Sequence, residues 1–156
     1  MTAAISVEEF RKGYLVVLAT TVEQSRGYYL DPAASLFEVL ASVSAEEASR
    51  PVGGKGATLS AQVNHLRFYI DVRNEEIRTG ESREVDWASS WQVGAVTAEE
   101  WQALLIAFRA AYEEQRAFIL QLERWDEWAI GDAFALLGHC AYHLGEIRQG
   151  LSLLRG

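Results

Sequence analysis

Residues 97–122, TAEEWQALLIAFRAAYEEQRAFILQL, decide the fold class of this chain. The tract lacks proline, and its large apolar side chains recur at spacings of three and four residues, which is the period of an α-helix. Thr97 and Glu100 have the spacing of a capping box, in which each side chain satisfies the other residue's free backbone N–H. We predict a helix from about Ala98 to Leu122, with an apolar stripe formed by Trp101, Leu104, Leu105, Phe108, Tyr112, Ile119 and Leu122.

The same helical period recurs in three other long tracts, and the chain contains only two prolines. These tracts predict helices over about 7–26, 58–79 and 130–154. The last of them begins apolar nearly all round its axis, so we expect most of its surface to be buried. In the helix over 58–79, the predicted apolar stripe includes Ile77.

Shorter helical segments are expected between the first two long helices. Asp31 is predicted to cap a short helix with Pro32 at its first helical position. The S/T-x-x-E spacing that starts at Ser6 recurs at Ser44, where it marks a second short segment. A glycine-rich break, RPVGGKGA, then ends the helical pattern before the next long helix.

Four long amphipathic helices in 156 residues favour an all-α, four-helix bundle with a short extra helix in the first connection. The chain has the length of one domain, which we place at 1–156. The last two helices are joined by a few residues and should be antiparallel. The connection over 80–96 is long enough to run the length of the bundle and allows a parallel pair. It carries Trp87 and Trp91, which we expect to pack over the bundle.

Charge and cysteine content exclude several classes of function. The chain has 14 Lys plus Arg against 22 Asp plus Glu, a formal net charge of -8, which disfavours nucleic acid as a partner. Cys140 is the single cysteine, so an intramolecular disulfide cannot form. The N terminus, MTAAISVEEFRKG, has no signal-peptide pattern, and no apolar run is long enough to span a bilayer. We therefore expect a cytoplasmic protein that does not bind membranes.

Two of the three histidines lie one helical turn apart in GHCAYHLGEIRQG, residues 138–150. An α-helix advances about 100° per residue, so His139 and His143 lie about 40° apart and both imidazoles can reach one point. Glu146 shares this face, within about 20° of His139. His65 lies in another predicted helix beside its apolar stripe. The residues alone leave two interpretations open, a three-histidine metal site and a set of packed histidines.

Two stretches resemble the DinB-like family, which includes the YfiT-like proteins. They are ATLSAQVNHLRFYIDVRNEEI, with a histidine early in the second long helix, and GHCAYHLGEIRQ in the last helix. The family pattern is a histidine in the second helix followed by H-x-x-x-H-x-G-Q-I in the final helix. Here the final part reads His139, His143, Gly145, Glu146 and Ile147, and the resemblance extends over essentially the full chain.

The resemblance implies an up-down-down-up four-helix bundle and a divalent ion (Zn, Ni, Fe or Mn) held by His65, His139 and His143. The usual glutamine of the family is Glu146 here, which adds a negative charge beside the metal. Glu146 is the catalytic candidate, as a base toward a metal-bound nucleophile, and the alternatives are that it orients His143 or is a solvated surface charge. Three neutral imidazoles leave coordination positions open, as in catalytic metal sites. Because Cys140 follows His139, the HExxH pattern of metalloproteases is absent.

Two chemistries fit an open metal site. The ion can lower the pKa of bound water for hydrolysis, or it can bind a thiol as the thiolate. Members of the family include thiol S-transferases and thiol-dependent isomerases, so the resemblance implies a metal-dependent transferase that uses a low-molecular-weight thiol as co-substrate. The alternatives are a metal-dependent hydrolase and a non-catalytic metal- or ligand-binding bundle, whose exposed face would serve a partner or a second copy of the chain.

Overall fold

The computed structural model describes residues 5–54 and 56–156, and these ranges contain helices and no β-strand. The prediction of an all-α protein is therefore confirmed for the described residues. Two parts of the predicted domain 1–156 lie outside the described residues. They are residues 1–4, in the N-terminal segment without a signal pattern, and residue 55, in the glycine-rich break. Six α-helices follow in chain order: α1 (Val7–Val22), α2 (Leu36–Leu40), α3 (Ala45–Ser49), α4 (Leu59–Thr79), α5 (Ala98–Gln121) and α6 (Glu127–Arg155).

Side-chain caps mark the starts of the four long helices. The capping boxes predicted at Ser6 and Thr97 are both formed, and they start α1 and α5. Thr58 and Asp126 each accept a backbone N–H from the first turn of α4 and α6. These caps satisfy N–H groups that have no partner within the helix, so the helix boundaries follow from local chemistry.

The cap predicted at Asp31 is wrong, and Pro32 is not helical. The helix α2 begins after Ser35, which forms a capping box with Glu38. The Glu38 carboxylate also accepts the backbone N–H of Ser25 at 3.0 Å, so it joins the end of the preceding turn to the start of α2. This additional contact comes from tertiary structure, which is why the local Asp-Pro signal did not locate the start of the helix.

In its described part, the first connection contains two short α-helices, α2 and α3, and the second begins at the segment that the Ser44 spacing marks. Ser44 forms the predicted capping box with Glu47 and starts α3. Trp101 of α5 donates its indole N–H to the carbonyl of Val43 at 2.9 Å, which holds the start of α3 against α5. The helix α1 ends at Val22, four residues before its predicted end.

The helix α6 buries one stripe rather than most of its surface, so that prediction is wrong. Trp128 is 77% exposed and Phe134 is 54% exposed, because neighbouring helices cover only part of the helix circumference. On α4, Ile77 is 49% exposed and does not belong to the buried stripe. Within the described part of the chain, no helix combines the length and the apolar character that crossing a lipid bilayer requires.

Contacts between the long helices join distant parts of the chain. Asn74 of α4 donates to the carbonyl of Ala111 of α5 at 2.9 Å, and Tyr14 of α1 donates to the carbonyl of Ala133 of α6 at 2.8 Å. Each fully buried large apolar side chain contributes about 1.5–3 kcal/mol to folding. The largest fully buried side chains are Trp101, Tyr112, Phe108, Leu18, Leu36, Leu40, Leu59, Leu66, Ile70, Ile147, Val22 and Val63.

The connection between α4 and α5, which was predicted to pack over the helices, contacts α4. It contains a 3-10 helix, Trp87–Trp91, and Asn64 of α4 donates to the carbonyl of Ser90 at 2.7 Å. Trp87 contacts the aromatic rings of Phe68 and Tyr69, although 41% of its own surface stays exposed. The connection therefore forms part of the wall around the histidines of α4 and α6.

Candidate metal centre

The three histidines of the chain converge at one point between α4 and α6. One nitrogen atom from each of His65, His139 and His143 lies within 4.8 Å of the others. The ring centroids are 5.1 Å apart for His65 and His139, 5.1 Å for His65 and His143, and 4.7 Å for His139 and His143. The predicted convergence is confirmed, and the arrangement can hold a metal ion.

Local helix geometry brings two of the three histidines together, and the packing of α4 against α6 adds the third. His139 and His143 are four residues apart on α6, so they lie on the same face. His65 reaches them from the second turn of α4, where its neighbours Val63 and Leu66 are fully buried. Only 8% of His65 and 2% of His143 is exposed, and His139 is half-buried.

A serine from the α4–α5 connection sets the tautomer of His65. The Ser90 hydroxyl donates to the carbonyl of Trp87 at 2.6 Å, so it is available to accept from His65 Nδ1 at 2.7 Å. The proton of the neutral ring then lies on Nδ1, and the Nε2 lone pair is left for a ligand. The Trp91 ring stacks on the same imidazole at 4.2 Å and holds its plane.

Two acceptors set the tautomer of His143 in the same way. Gln62 Oε1 lies 2.6 Å from His143 Nδ1, and Glu146 Oε2 lies 3.0 Å from the same nitrogen. Because both oxygens accept hydrogen bonds, the Nδ1 atom carries the proton and Nε2 keeps its lone pair. Gln62 and Glu146 therefore orient the ring, as hydrogen-bond acceptors behind metal-bound histidines do.

His139 supplies a buried nitrogen that lacks a hydrogen-bond partner among the described residues. Its Nε2 atom is shielded from solvent, and its ring stacks on Tyr69 at 4.2 Å with planes only 13° apart. A buried polar atom without a partner costs about 1–3 kcal/mol. A cation bound at this nitrogen would offset that cost, so the residues fit a metal ion.

The electrostatics of the site keep the imidazoles neutral. Burial, together with the nearby His143 and His65, lowers the pKa of His139 to about 4, with Glu146 opposing the shift. Burial also lowers the pKa of His65 and of His143, with Glu146 opposing the shift in both. Neutral imidazoles are the form that binds metals, so the site is ready for a cation at neutral pH.

Glu146, the predicted catalytic residue, lies outside the group of three converging nitrogens. One carboxylate oxygen contacts Nδ1 of His143, and the other accepts the hydroxyl of Tyr142 at 2.7 Å. Its side chain is 36% exposed. The carboxylate is thus placed to orient an imidazole.

Cys140 lies apart from the histidine face, as predicted. The residue is fully buried in the apolar core, and burial raises the pKa of its thiol to about 12. A buried thiol with a raised pKa stays protonated and is a poor nucleophile or ligand.

Sequence reasoning missed the residues that surround the histidines. Gln62 lies three residues before His65 on α4, and this spacing was a local signal that could have identified it. Ser90 and Trp91 are separated from His65 by 25 and 26 residues and lie in the 3-10 helix of the long connection, where no periodicity of the sequence could reveal their contacts with this ring.

Comparison with protein-family models, curated proteins and solved structures finds no match for this chain. The functional conclusions therefore depend on the geometry of the site and on the sequence pattern.

Proposed function

We propose that the protein is a divalent-metal-binding bundle of the DinB-like type that activates a low-molecular-weight thiol for transfer to an electrophile. The observation that carries this proposal is the convergence of His65, His139 and His143 from two helices within 4.8 Å. Zn, Ni, Fe and Mn are the candidate ions: imidazole suits Zn, Ni and Fe, whereas Mn prefers oxygen ligands and is included because the family resemblance implies it.

We also propose that the four long helices, α1, α4, α5 and α6, have the up-down-down-up arrangement. Ser60, at the start of α4, donates to the carbonyl of Gly94 just before α5, and Asn74, near the end of α4, donates to Ala111 in the second half of α5. These two contacts support a parallel α4–α5 pair. Arg11, early in α1, donates to the carbonyl of Leu122 at the end of α5, which supports an antiparallel α1–α5 pair.

The residues around the site would keep the imidazoles neutral and correctly oriented. Ser90 and Gln62 accept the Nδ1 protons of His65 and His143 and direct both Nε2 atoms away from these partners. Tyr69 and Trp91 cover two of the rings and limit access of water. When bound, a divalent cation lowers the pKa of a coordinating thiol and supplies a thiolate near pH 7.

In this proposal Glu146 is a positioning residue, because its carboxylate contacts the nitrogen of His143 that faces away from the Nε2 lone pair. A second candidate function is metal or ligand binding without turnover. It is favoured by the composition of the converging group, which among the described residues consists of three histidines, while the Glu146 carboxylate contacts the Nδ1 side of His143.

Metal binding is tested first, on protein purified without a nickel column. Elemental analysis should find about one divalent ion per chain, and calorimetry should show that His143→Ala loses tight binding of added zinc, nickel or manganese. Circular dichroism of the variant should stay helical, because the apolar core lies along the whole bundle. A wild-type protein that holds no ion and refuses all added ions would disprove the proposal.

Turnover is tested with a panel of bacterial thiols and chloro- or bromo-substituted electrophiles. The metal-loaded protein should accelerate transfer, and the His139→Ala variant and the chelated protein should not. Ser89→Ala, at a partly exposed position, is the control for a general effect of substitution. Equal rates for loaded and metal-free protein would support binding without turnover, and ester or amide cleavage by the loaded protein alone would support a hydrolase.

A further inference from the structure

The helix α6 has an exposed face that is almost entirely apolar. Its large apolar side chains that remain between 54% and 77% exposed are Trp128, Phe134, Tyr142 and Leu153. Because an α-helix advances about 100° per residue, all four lie within an arc of about 120° on one side of the helix. We call this arc the outer face of α6. The converging histidines lie beside it, toward α4.

The outer face lacks the charges expected of a helix surface in water. From residue 133 to residue 145 the helix contains no Asp, Glu, Lys or Arg, although 23% of the chain is charged. Exposed apolar side chains that are grouped on one surface, rather than scattered, mark an interaction site. The outer face therefore has the character of a contact surface for another protein.

The exposed area is of the size that a protein interface needs. Full burial of an aromatic side chain removes about 150–250 Å² from water, so Trp128, Phe134 and Tyr142 together still expose about 400 Å². A stable complex buries about 800 Å² on each partner. The three aromatic side chains supply about half of this area, and the rest of the arc, which extends about 37 Å from Trp128 to Leu153, can supply the remainder.

Glycines on the same arc leave hollows in the helix surface. Gly131, Gly138 and Gly145 are exposed, and a Cβ atom added to any of them would meet no atom within 4 Å. Another helix can approach closely at such positions. Their seven-residue spacing keeps the hollows along one line of contact between two helices.

The order of large and small residues makes the outer face complementary to a reversed copy of itself. In an antiparallel pair with its two-fold axis at position 140, each residue lies opposite the one equally far beyond that position in the second copy. To within one residue, the facing pairs are Tyr142 with Gly138, Gln149 with Gly131, Phe134 with Gly145, and Trp128 with Leu153. Each large side chain then meets a hollow or another apolar side chain. A parallel pair would place every glycine opposite itself and every aromatic ring opposite itself.

The charges near the ends of α6 favour the same antiparallel direction. Exposed Glu127 lies in the first turn, and exposed Arg148 lies toward the other end of the helix. Antiparallel pairing brings the acidic end of one helix beside the basic end of the other, whereas parallel pairing brings like charges together. It also places the opposed ends of the two helix dipoles side by side.

We propose that the outer face of α6 is an interface between two copies of this chain, which pair antiparallel about a two-fold axis at position 140. The pairing covers Tyr142, whose ring lies 4.9 Å from the ring of His143, so the interface adjoins the candidate metal centre. It does not require a bound ion, because the outer face contains none of the converging histidines.

Sedimentation equilibrium over a range of protein concentrations, with chelator present, measures the association. The wild-type protein should form a dimer. Gly138→Arg should raise the dissociation constant at least about 100-fold, because it fills the central hollow and buries a charge. Gly13→Arg on α1 is the matched control, since Gly13 is also helical and exposed with no atom within 4 Å of an added Cβ, and it should leave the dimer intact.

A second variant tests the same face without changing a glycine. Phe134→Glu should also dissociate the dimer, because it places a carboxylate at a position that pairing desolvates. Ile106→Glu is its matched control, since Ile106 is an exposed apolar residue of α5. Circular dichroism should show the same helix content for all four variants, because each replaced residue is exposed.

Introduced cysteines test the direction of pairing. The natural Cys140 is fully buried, so it should not react. The double variant Gly131→Cys/Gln149→Cys should form a disulfide-linked dimer on oxidation with copper phenanthroline. Each single variant should stay unlinked, because equivalent residues would lie 18 positions apart along the pair, about 27 Å, and a disulfide requires Cα atoms within about 7 Å.

A wild-type protein that stays monomeric at all concentrations would overturn the proposal. A dimer that persists in both Gly138→Arg and Phe134→Glu would place the interface elsewhere and would also overturn it. Linking of either single-cysteine variant would show parallel pairing and contradict the antiparallel arrangement. Failure of the protein to bind metal would leave this proposal intact.

Discussion

The hydroxyl of Ser90 accepts a hydrogen bond from Nδ1 of His65 across 2.7 Å, and it donates its own hydrogen bond to the carbonyl of Trp87. A residue 25 positions away along the chain thereby selects which nitrogen of His65 presents a lone pair to its neighbours. Gln62 has the same relation to His143 at 2.6 Å. The chemistry of the candidate metal centre therefore depends on groups that would not touch the ion.

Ser90→Ala should weaken metal binding by about 10-fold, because the Nδ1–H group of His65 loses its acceptor and the ring loses its fixed orientation. Calorimetric titration of the metal-free protein with zinc measures this change. Ser89→Ala is the matched control, since the Ser89 hydroxyl donates to the carbonyl of Asp86 at the exposed edge of the same 3-10 helix. Equal affinities for the two variants would show that Ser90 does not position His65.

Glu146→Gln should change metal affinity and turnover less than about 10-fold, because a glutamine oxygen can accept the same Nδ1–H bond from His143. The variant also introduces the glutamine of the DinB-like pattern that the sequence resembles. Glu113→Gln, at an exposed position of α5, controls for loss of one negative charge. A fall in kcat of more than about 100-fold with the metal still bound would instead identify Glu146 as the general base.

The metal-free protein should lose stability as the pH falls from 7 to 5. Its His139 pKa lies at about 4, below the ordinary value of 6.5, so the unfolded chain binds a proton in this window that the folded protein does not. Stability is then fully present above about pH 6.5 and declines as the pH falls toward the folded pKa, with a loss of about 2 kcal/mol by pH 5.

Urea denaturation with chelator at each pH measures this dependence. His139→Gln should show a smaller loss over the same window, since its side chain at this position does not titrate. A wild-type curve that is flat between pH 7 and 5, or a variant curve of equal slope, would contradict the prediction.

Cys140→Ala should lower the free energy of unfolding by about 1 kcal/mol, because a buried sulfur is removed from a packed core. The variant should keep about one divalent ion per chain, since the thiol does not lie on the histidine face. Urea denaturation and elemental analysis check the two expectations. Loss of the ion would show that the cysteine participates in the site.

Much of the fold was predictable because it depends on neighbouring residues. The caps at Ser6, Ser44 and Thr97 are formed as their three-residue spacing predicts. The predictions failed where a distant group competes with the local signal. At the start of α2, the Glu38 carboxylate accepts the Ser25 N–H and the helix begins beyond Asp31. On α6, Phe134 stays 54% exposed although its ring contacts Phe10 of α1.

The candidate site likewise depends partly on local spacing and partly on tertiary contacts. The sequence by itself determined that His139 and His143 share a face, because the α-helix repeats about every 3.6 residues whatever surrounds it. Only the tertiary structure decided that His65 joins them, that Ser90 and Gln62 select the ring tautomers, and that burial lowers the pKa of His139. These features require α4, α6 and the connection between α4 and α5 to pack at fixed positions relative to one another. Those positions depend on the whole core rather than on any local spacing.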